Sequence, residues 1–362
     1  WSMNENDASI GDGLFPEVRI NLGGDRVYLG GDRYRGANHI MVDEDILVFK
    51  ADYDNDDNVL TFGIERTETD VYNLFIARYN GEIQFNSIED FETGMWSYLR
   101  FHTPIAGNDQ VGTAAADFSI EKNTIYAQNK WYAGDDLTFT FGFRYDKVLT
   151  PDYPHLNPKF LERNGIGNNQ RFDFDLIQPR VSFNYDATSM FGDRVVDATI
   201  RGGRGLFLGR IPRVWYGNAY SRSGGLTDYN RFRSYSDVIG PMPASSTADP
   251  HFFWLGPTSD YEVRSAWYGD AQGTDPSFEA PSSWRTNIAL DLLTTKGYDF
   301  TVEYNRDQIN KGVFYQDLGI TQTGTLADGR GTYTGAGDFW LSNTDLGDTE
   351  AITFIMKKEW ND

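Results

Sequence analysis

The sequence predicts an all-β protein organised as an antiparallel sheet. Three observations carry this: apolar and polar residues alternate with period two in segment after segment, the composition favours strands and turns, and short turns alternate with long connections. Aromatics make up 15% of the 362 residues, Tyr 21 and Phe 25 leading, beside 37 Gly. Aromatic residues suit a pleated surface, and glycine suits tight turns. No segment of comparable length shows a helical period.

The elements follow in chain order. Weaker alternation predicts strands over Asp45–Tyr53, Val59–Thr67 and Phe118–Tyr132. The clearest case is "LTFTFGFRY", which places Leu137, Phe139, Phe141, Phe143 and Tyr145 on one face and Thr138, Thr140, Gly142 and Arg144 on the other. "VSFNYD" sets Val181, Phe183 and Tyr185 against Ser182, Asn184 and Asp186, and Val196–Leu208 continues the pattern more weakly. In "WRTNIALDLL", Trp284, Thr286, Ile288, Leu290 and Leu292 oppose Arg285, Asn287, Ala289 and Asp291. "YDFTVEYN" sets Tyr298, Phe300, Val302 and Tyr304 against Asp299, Thr301, Glu303 and Asn305, and Ala351–Trp360 closes the series.

Between these segments, Asp54–Asp57, Ala133–Asp136 and Thr294–Gly297 read as hairpin turns. The intervening connections are long, covering Thr150–Asp175 and about Gly209–Pro281. Loops beyond about 15 residues are unusual in compact domains and usually functional. Short turns at one end and long loops at the other, with strands of roughly 9–11 residues, suit a transmembrane β-barrel. Aromatics stand near the predicted strand ends at Tyr53, Trp131, Tyr132, Tyr145, Trp284 and Trp360, where interfacial girdles would lie. A soluble β-sandwich, propeller or lipocalin-like barrel alternates too. Those architectures do not account for a dense aromatic stripe combined with one-sided long loops.

The net charge is -21, from 53 acidic and 32 basic residues, which argues against a nucleic-acid partner. Without cysteine there is neither a disulfide framework nor a thiolate metal site. No run approaches the ~18 apolar residues of a spanning helix, and the mean hydropathy of -0.52 does not register strands that show lipid only one face. The chain opens Trp1-Ser2-Met3 without an export signal, and is expected to start inside a longer gene product.

"RGGRGLFLG" does not fit a dinucleotide fingerprint: from Gly203 it reads G-x-G-x-x-x-G, it lies within a predicted strand, and no helix follows. Its glycines predict curvature or the close approach of another backbone. "DYDNDDN" has Asp57 and Gly63 where a calcium loop needs glycine and glutamate, so a solvated turn is expected. His39, His102, His155 and His251 are scattered without zinc-ligand spacing, and no G-x-S-x-G elbow occurs. No cofactor or catalytic residue is expected. The long loops instead concentrate Arg210, Arg213, Trp215, Tyr216, Tyr220, Arg222, Tyr229, Arg231, Phe232, Arg233 and Trp254. Arginine and aromatics suit anion recognition and stacking at a substrate or partner surface, or else simply fold over the barrel mouth.

Several stretches together resemble the TonB-dependent outer-membrane receptors, specifically the Oar-like branch of Bacteroidota and related Gram-negatives. They are "VYNLFIARYNGEIQFNSIEDFETG", "FSIEKNTIYAQNKWYAGDDLTFTFGFRYD", "IQPRVSFNYD", "RGGRGLFLGRIPRVWYGNAYSRSGG" and "GVFYQDLGI", spread between about Phe15 and Trp360. The resemblance implies part of a roughly 22-stranded barrel. Residues 1–362 would all belong to that barrel, without the plug domain or the regulatory β-domain that many such receptors carry, and Trp360-Asn-Asp would begin a periplasmic turn. It further implies the Gram-negative outer membrane, contact with lipid, and substrate import driven by TonB–ExbB–ExbD through the N-terminal part. Arg144, Arg285, Asp299 and Glu303 would face the lumen, and a surface lipoprotein could cap the loops. The alternative function is a surface scaffold, adhesin or subunit of a larger envelope complex.

Overall fold

The computed structural model describes residues 16–104, 108–232, 271–335, 337–358 and 360. In chain order the strands are β1 (Glu17–Leu22), β2 (Asp25–Gly30), β3 (Asn38–Asn55), β4 (Asn58–Phe75), β5 (Glu82–Phe85) and β6 (Tyr98–Pro104). Then come β7 (Ala116–Tyr132), β8 (Leu137–Leu149), β9 (Phe174–Asp186), β10 (Val195–Leu208), β11 (Thr227–Phe232) and β12 (Gln272–Thr274). The last are β13 (Ser282–Thr294), β14 (Tyr298–Asp317), β15 (Thr321–Thr325), β16 (Gly331–Thr334), β17 (Phe339–Thr344) and β18 (Asp348–Lys358). The helices are short: α1 (Ile88–Thr93), α2 (Pro158–Asn164), α3 (Thr188–Phe191) and α4 (Arg213–Ser221). None among the described residues is long and apolar enough to cross a membrane, which bears on helices only.

The molecule is all-β, and its main sheet has eleven strands. Strands β3, β4, β7, β8, β9, β10, β13 and β14 follow one another across it, each antiparallel to the next. Beyond β14, β18 and β17 lie end to end in one register: Gln308 opposes Asp348, Gly312 opposes Thr344, and Ile309 N donates to Gly347 O between them at 3.0 Å. The sheet is open. Among the described residues the edges are β3, β18 and β12, which pairs parallel to β17, and no closed barrel is formed.

The short connections that reverse the chain between neighbouring strands lie at one end of this sheet. The β3–β4 turn is closed by Asn55, whose side-chain oxygen accepts from Asp57 N and Asn58 N, so the acidic run expected to form a solvated turn does so. Residues 133–136 join β7 to β8 and residues 295–297 join β13 to β14; Gly134 and Gly297 take φ of 86° and 70°, where a side chain would be strained. The opposite end carries the connections 76–115, 150–173, 209–281 and 318–338. The second and third were expected, whereas the first and fourth are additions.

The period-two pattern sets the faces. Phe139 lies opposite Trp131 and Phe183, and Gly202 opposite Phe183 and Ile288, so one apolar face runs across the sheet. Among the described residues nothing packs over it. Phe62, Phe141, Phe143 and Phe354 are 50%, 48%, 47% and 74% exposed, and Phe139 and Phe300 are also unburied. On β8 the apolar stripe runs from Leu137 to Tyr145, about 26 Å along the strand, or roughly 20 Å of depth at a tilt of about 40°. Towards the long loops it ends in charge: Asp45, Arg66, Lys147, Arg306 and Glu350 occupy the next outward positions on their strands.

The other face is polar along the middle of the sheet and apolar at the loop end. There Val71 and Phe118 meet Phe172, Tyr216, Ala219, Tyr220, Phe278 and Leu341 in one core, so the loops fold back onto the sheet. A separate five-stranded sheet, in the order β11-β6-β5-β1-β2, also stands at this end. Its core is Ile20, Ile83, Phe85, Trp96, Leu99 and Phe101, with Phe91 of α1 edge-on to Phe85 at 5.3 Å.

Candidate functional site: the polar wall and the loop-end mouth

The polar wall is laid out by strand register. Thr61, Gln128, Gly142, Arg180, Gly205, Arg285 and Asp307 follow one another across seven strands. A neighbouring row runs Gly63, Tyr126, Arg144 and Gln178. A cleft of about 960 Å³ lies along these rows, lined among others by Glu65, Tyr126, Arg144, Arg180, Arg201 and Arg285. Missing side chains shape its floor. A Cβ at Gly63 would meet the Tyr126 ring at 2.1 Å, and one at Gly142 would meet Ala127 O at 2.4 Å. In β10, a Cβ at Gly203 would meet Val181 O at 2.9 Å, the close backbone approach expected of that glycine run.

Most charges on the wall are paired. Arg144 binds Glu65 at 2.7 Å and Asp146 at 3.1 Å. Arg201 joins Asp291 at 2.7 Å and Glu303 at 3.1 Å, and Arg285 meets Asp307 at 3.1 Å. Asp299 stands 3.9 Å from Lys357. The structure thus puts Arg144, Arg285, Asp299 and Glu303 on one face, opposite the apolar stripe. Among the described residues no three His, Asp or Glu side chains converge as metal ligands.

The loop-end residues divide. Tyr216 and Tyr220, on α4, are buried: Tyr220 stacks on Phe118 at 4.3 Å, and Tyr216 lies 4.4 Å from the Phe172 ring. Burial raises both phenol pKa values, that of Tyr220 to about 12, so both stay protonated. They form the core of the loop end, while Trp215 is half-buried against it. Arg210, Arg213 and Arg222 are exposed, and Arg213 reaches Glu44 at 2.8 Å. Tyr229 and Arg231 lie on β11 opposite His102 and Arg100. Arg233 and Trp254 lie outside the described residues.

Two clusters of charged residues tie the loop end together. Asp338 accepts from Arg163 at 2.7 and 2.8 Å and from Asn164 at 2.8 Å, tying α2 to the start of β17. Burial would raise its pKa, but these donors outweigh that and hold it below the usual carboxylate range. In the five-stranded sheet, Glu82 is fully buried and accepts from Tyr98 at 2.7 Å, Arg100 at 2.7 Å and Arg78 at 2.9 Å. Arg19 Nη2 stands 3.1 Å from Glu82, an ion pair without hydrogen-bond geometry. His102 lies beside this cluster, and burial, reinforced by Arg78 and Arg100, lowers its pKa to about 4.

Sequence reasoning did not single out the Glu82 cluster, Arg180 or Phe207. For Arg180 the signal was present, since it shares the polar side of the alternation with Ser182 and Asn184. The Glu82 cluster gathers residues from β1, β5, β6 and the two linking segments that carry Arg33 and Arg78, and no local pattern announces it.

No family model matches the chain, and no curated protein matches it. Among solved structures, it is similar to the siderophore receptor PirA from Acinetobacter baumannii, at 12% identity and TM-score 0.45 over 96% of this chain and 38% of that one. The outer membrane transporter YddB from Escherichia coli matches at 12% identity and TM-score 0.47, over 93% and 33% respectively. A mutant of the ferric enterobactin receptor PfeA from Pseudomonas aeruginosa, in complex with enterobactin, matches at 11% and 0.42, over 94% and 36%. The chain therefore spans little more than a third of the length of these structures.

Proposed function

We propose that the chain forms part of an outer-membrane transporter of the TonB-dependent type, Oar-like, in a Gram-negative cell. The observation that carries this reading is the uncovered apolar face, about 20 Å deep and edged with charge, backed by a wall of ion-paired polar residues. A water-soluble sheet would bury such a face, whereas lipid accepts it. In this reading, residues 1–362 belong to one barrel, the polar wall faces the lumen, and the folded loops form the extracellular mouth that selects a substrate. Arg210, Arg213, Arg222 and Trp215 are the loop residues offered to a ligand. Tyr216 and Tyr220 hold that surface in shape, and Tyr229, Arg231 and Trp254 are further residues proposed for the ligand. Passage would be energised by TonB–ExbB–ExbD acting through the N-terminal part of the whole protein.

The test screens cells for uptake of peptides, glycans and metal chelates, with the full-length protein and with a version lacking its TonB-contacting segment. Uptake lost on deletion while surface binding persists supports energised transport, and identical uptake in both strains refutes it. A second reading, a surface scaffold or subunit of an envelope complex, draws on the five-stranded sheet. Leu22, Val27, Leu29, Ile88, Phe91 and Met95 are all exposed there, and such a patch suits a protein partner such as a capping lipoprotein. A stoichiometric partner co-purifying over this patch, with no uptake phenotype, would favour it.

A further inference from the structure

Arg180 departs from the pattern of the polar wall. Arg144, Arg201 and Arg285 each meet carboxylates within ion-pair distance, whereas Arg180 meets none among the described residues. Its Nη2 donates to a neutral acceptor, Gln178 Oε1, at 3.3 Å. Gln178 is itself fixed: its side chain is buried, its amide donates to Asp146, and its oxygen also accepts from Leu208 N at 2.9 Å. The guanidinium lies over the Phe207 ring, 4.5 Å from its centroid, and Arg285 approaches the same ring at 5.6 Å. One edge of Arg180 is thus held by neutral contacts, and among the described residues no carboxylate stands within ion-pair distance of its guanidinium, while the Asp146 charge acts on it from further away.

The surroundings leave room for a ligand. Arg180 is flanked in register by Gly142 on β8 and Gly205 on β10, and a Cβ at Gly205 would crowd both the Arg180 stem and the Phe207 ring at 3.0 Å. The cleft volume, about 960 Å³, is that of a small-molecule site. We propose that Arg180 is an oxyanion-binding station on this wall, taking a carboxylate or phosphate group of a small solute in the fork of its guanidinium. Planar guanidinium is suited to such groups because two parallel N–H donors match two oxygens. The proposal rests on the reading of this face as the lumen, and it names an anionic solute as what the lumen handles.

The test is titration calorimetry on the purified full-length protein in detergent, with citrate and inorganic phosphate as separate probes. R180Q should weaken binding of the responsive anion at least tenfold, and R180K, which keeps the charge and loses the fork, should fall between. R66Q should leave affinity unchanged, because Arg66 sits on the opposite face, paired with Glu68 outside the cleft. Citrate alone responding would assign carboxylates, and phosphate alone would assign phosphates. Failure of both anions to bind the unmodified protein, an R180Q affinity within twofold of it, or an equal loss in R66Q would overturn the proposal. Should R180Q not fold, R180K decides: threefold weakening supports the station and unchanged affinity removes it. Arg180-dependent binding in a protein that fails the uptake test would remove energised transport and leave this site standing.

Discussion

Phe141→Arg separates lipid from water at the apolar face. Phe141 is the midpoint of the β8 stripe, four residues from Leu137 and four from Tyr145, with Asn129 and Val181 opposite it. Four intervals at about 3.3 Å, tilted by about 40°, put it some 10 Å below either margin. At that depth an arginine on a barrel's lipid face costs about 2–4 kcal/mol, falling to about 0–1 kcal/mol near the interface. On a water-exposed surface the same change stays within about 0.5 kcal/mol. The assay is urea unfolding of the full-length protein in lipid vesicles, comparing Phe141→Arg with Tyr145→Arg at the margin. The expected order is a large loss at 141 and a small one at 145. Equal, negligible losses at both positions would refute lipid contact.

Three further outcomes follow from the loop end. Phe118→Ala removes the ring between Tyr216 and Tyr220, and should cost about 3–5 kcal/mol with early proteolysis at α4; unaltered protection of α4 would contradict the packing. Asp338→Asn should cost about 1–3 kcal/mol and speed hydrogen exchange in α2. Because the Asp338 pKa is depressed, its clamp is intact above the ordinary carboxylate pKa and is lost as pH falls through the lower folded value, so exchange in α2 should rise only in acid. For His102 the depressed value means that the unfolded state takes up protons first. Stability should fall as pH drops from 6.5 towards about 4, by at most about 3 kcal/mol, and a proton-NMR titration placing His102 near 6.5 would contradict its burial.

The sheet was legible in the sequence because a strand in contact with two media repeats every second residue. Phe139, Phe183 and Ile288 could be assigned to one face from spacing alone, as could Arg144, Arg285, Asp299 and Glu303 to the other. The turns were legible too, since Asn55, Gly134 and Gly297 each perform a local task. The loop end was not. Strands β1, β5, β6 and β11 are short and pair across long separations, so no periodic signal accumulates. Tyr216 and Tyr220 read as surface recognition residues because α4 is one short helix in a glycine-rich run. Their burial depends on Phe118 and Phe172, which arrive from other parts of the chain. At Arg180 the sequence showed which face it occupies, while the missing carboxylate partner could only be seen once every strand was in register.

The most direct test of the account is a nitroxide scan of residues 137–145, which is clean within this chain because it contains no cysteine. With the full-length protein in bilayers, labels at 139, 141 and 143 should be accessible to oxygen and shielded from a water-soluble nickel chelate, with 138, 140 and 144 out of phase. Equal access of the nickel chelate to both sets of positions would show that water bathes the apolar face, and the transporter reading would fail with it.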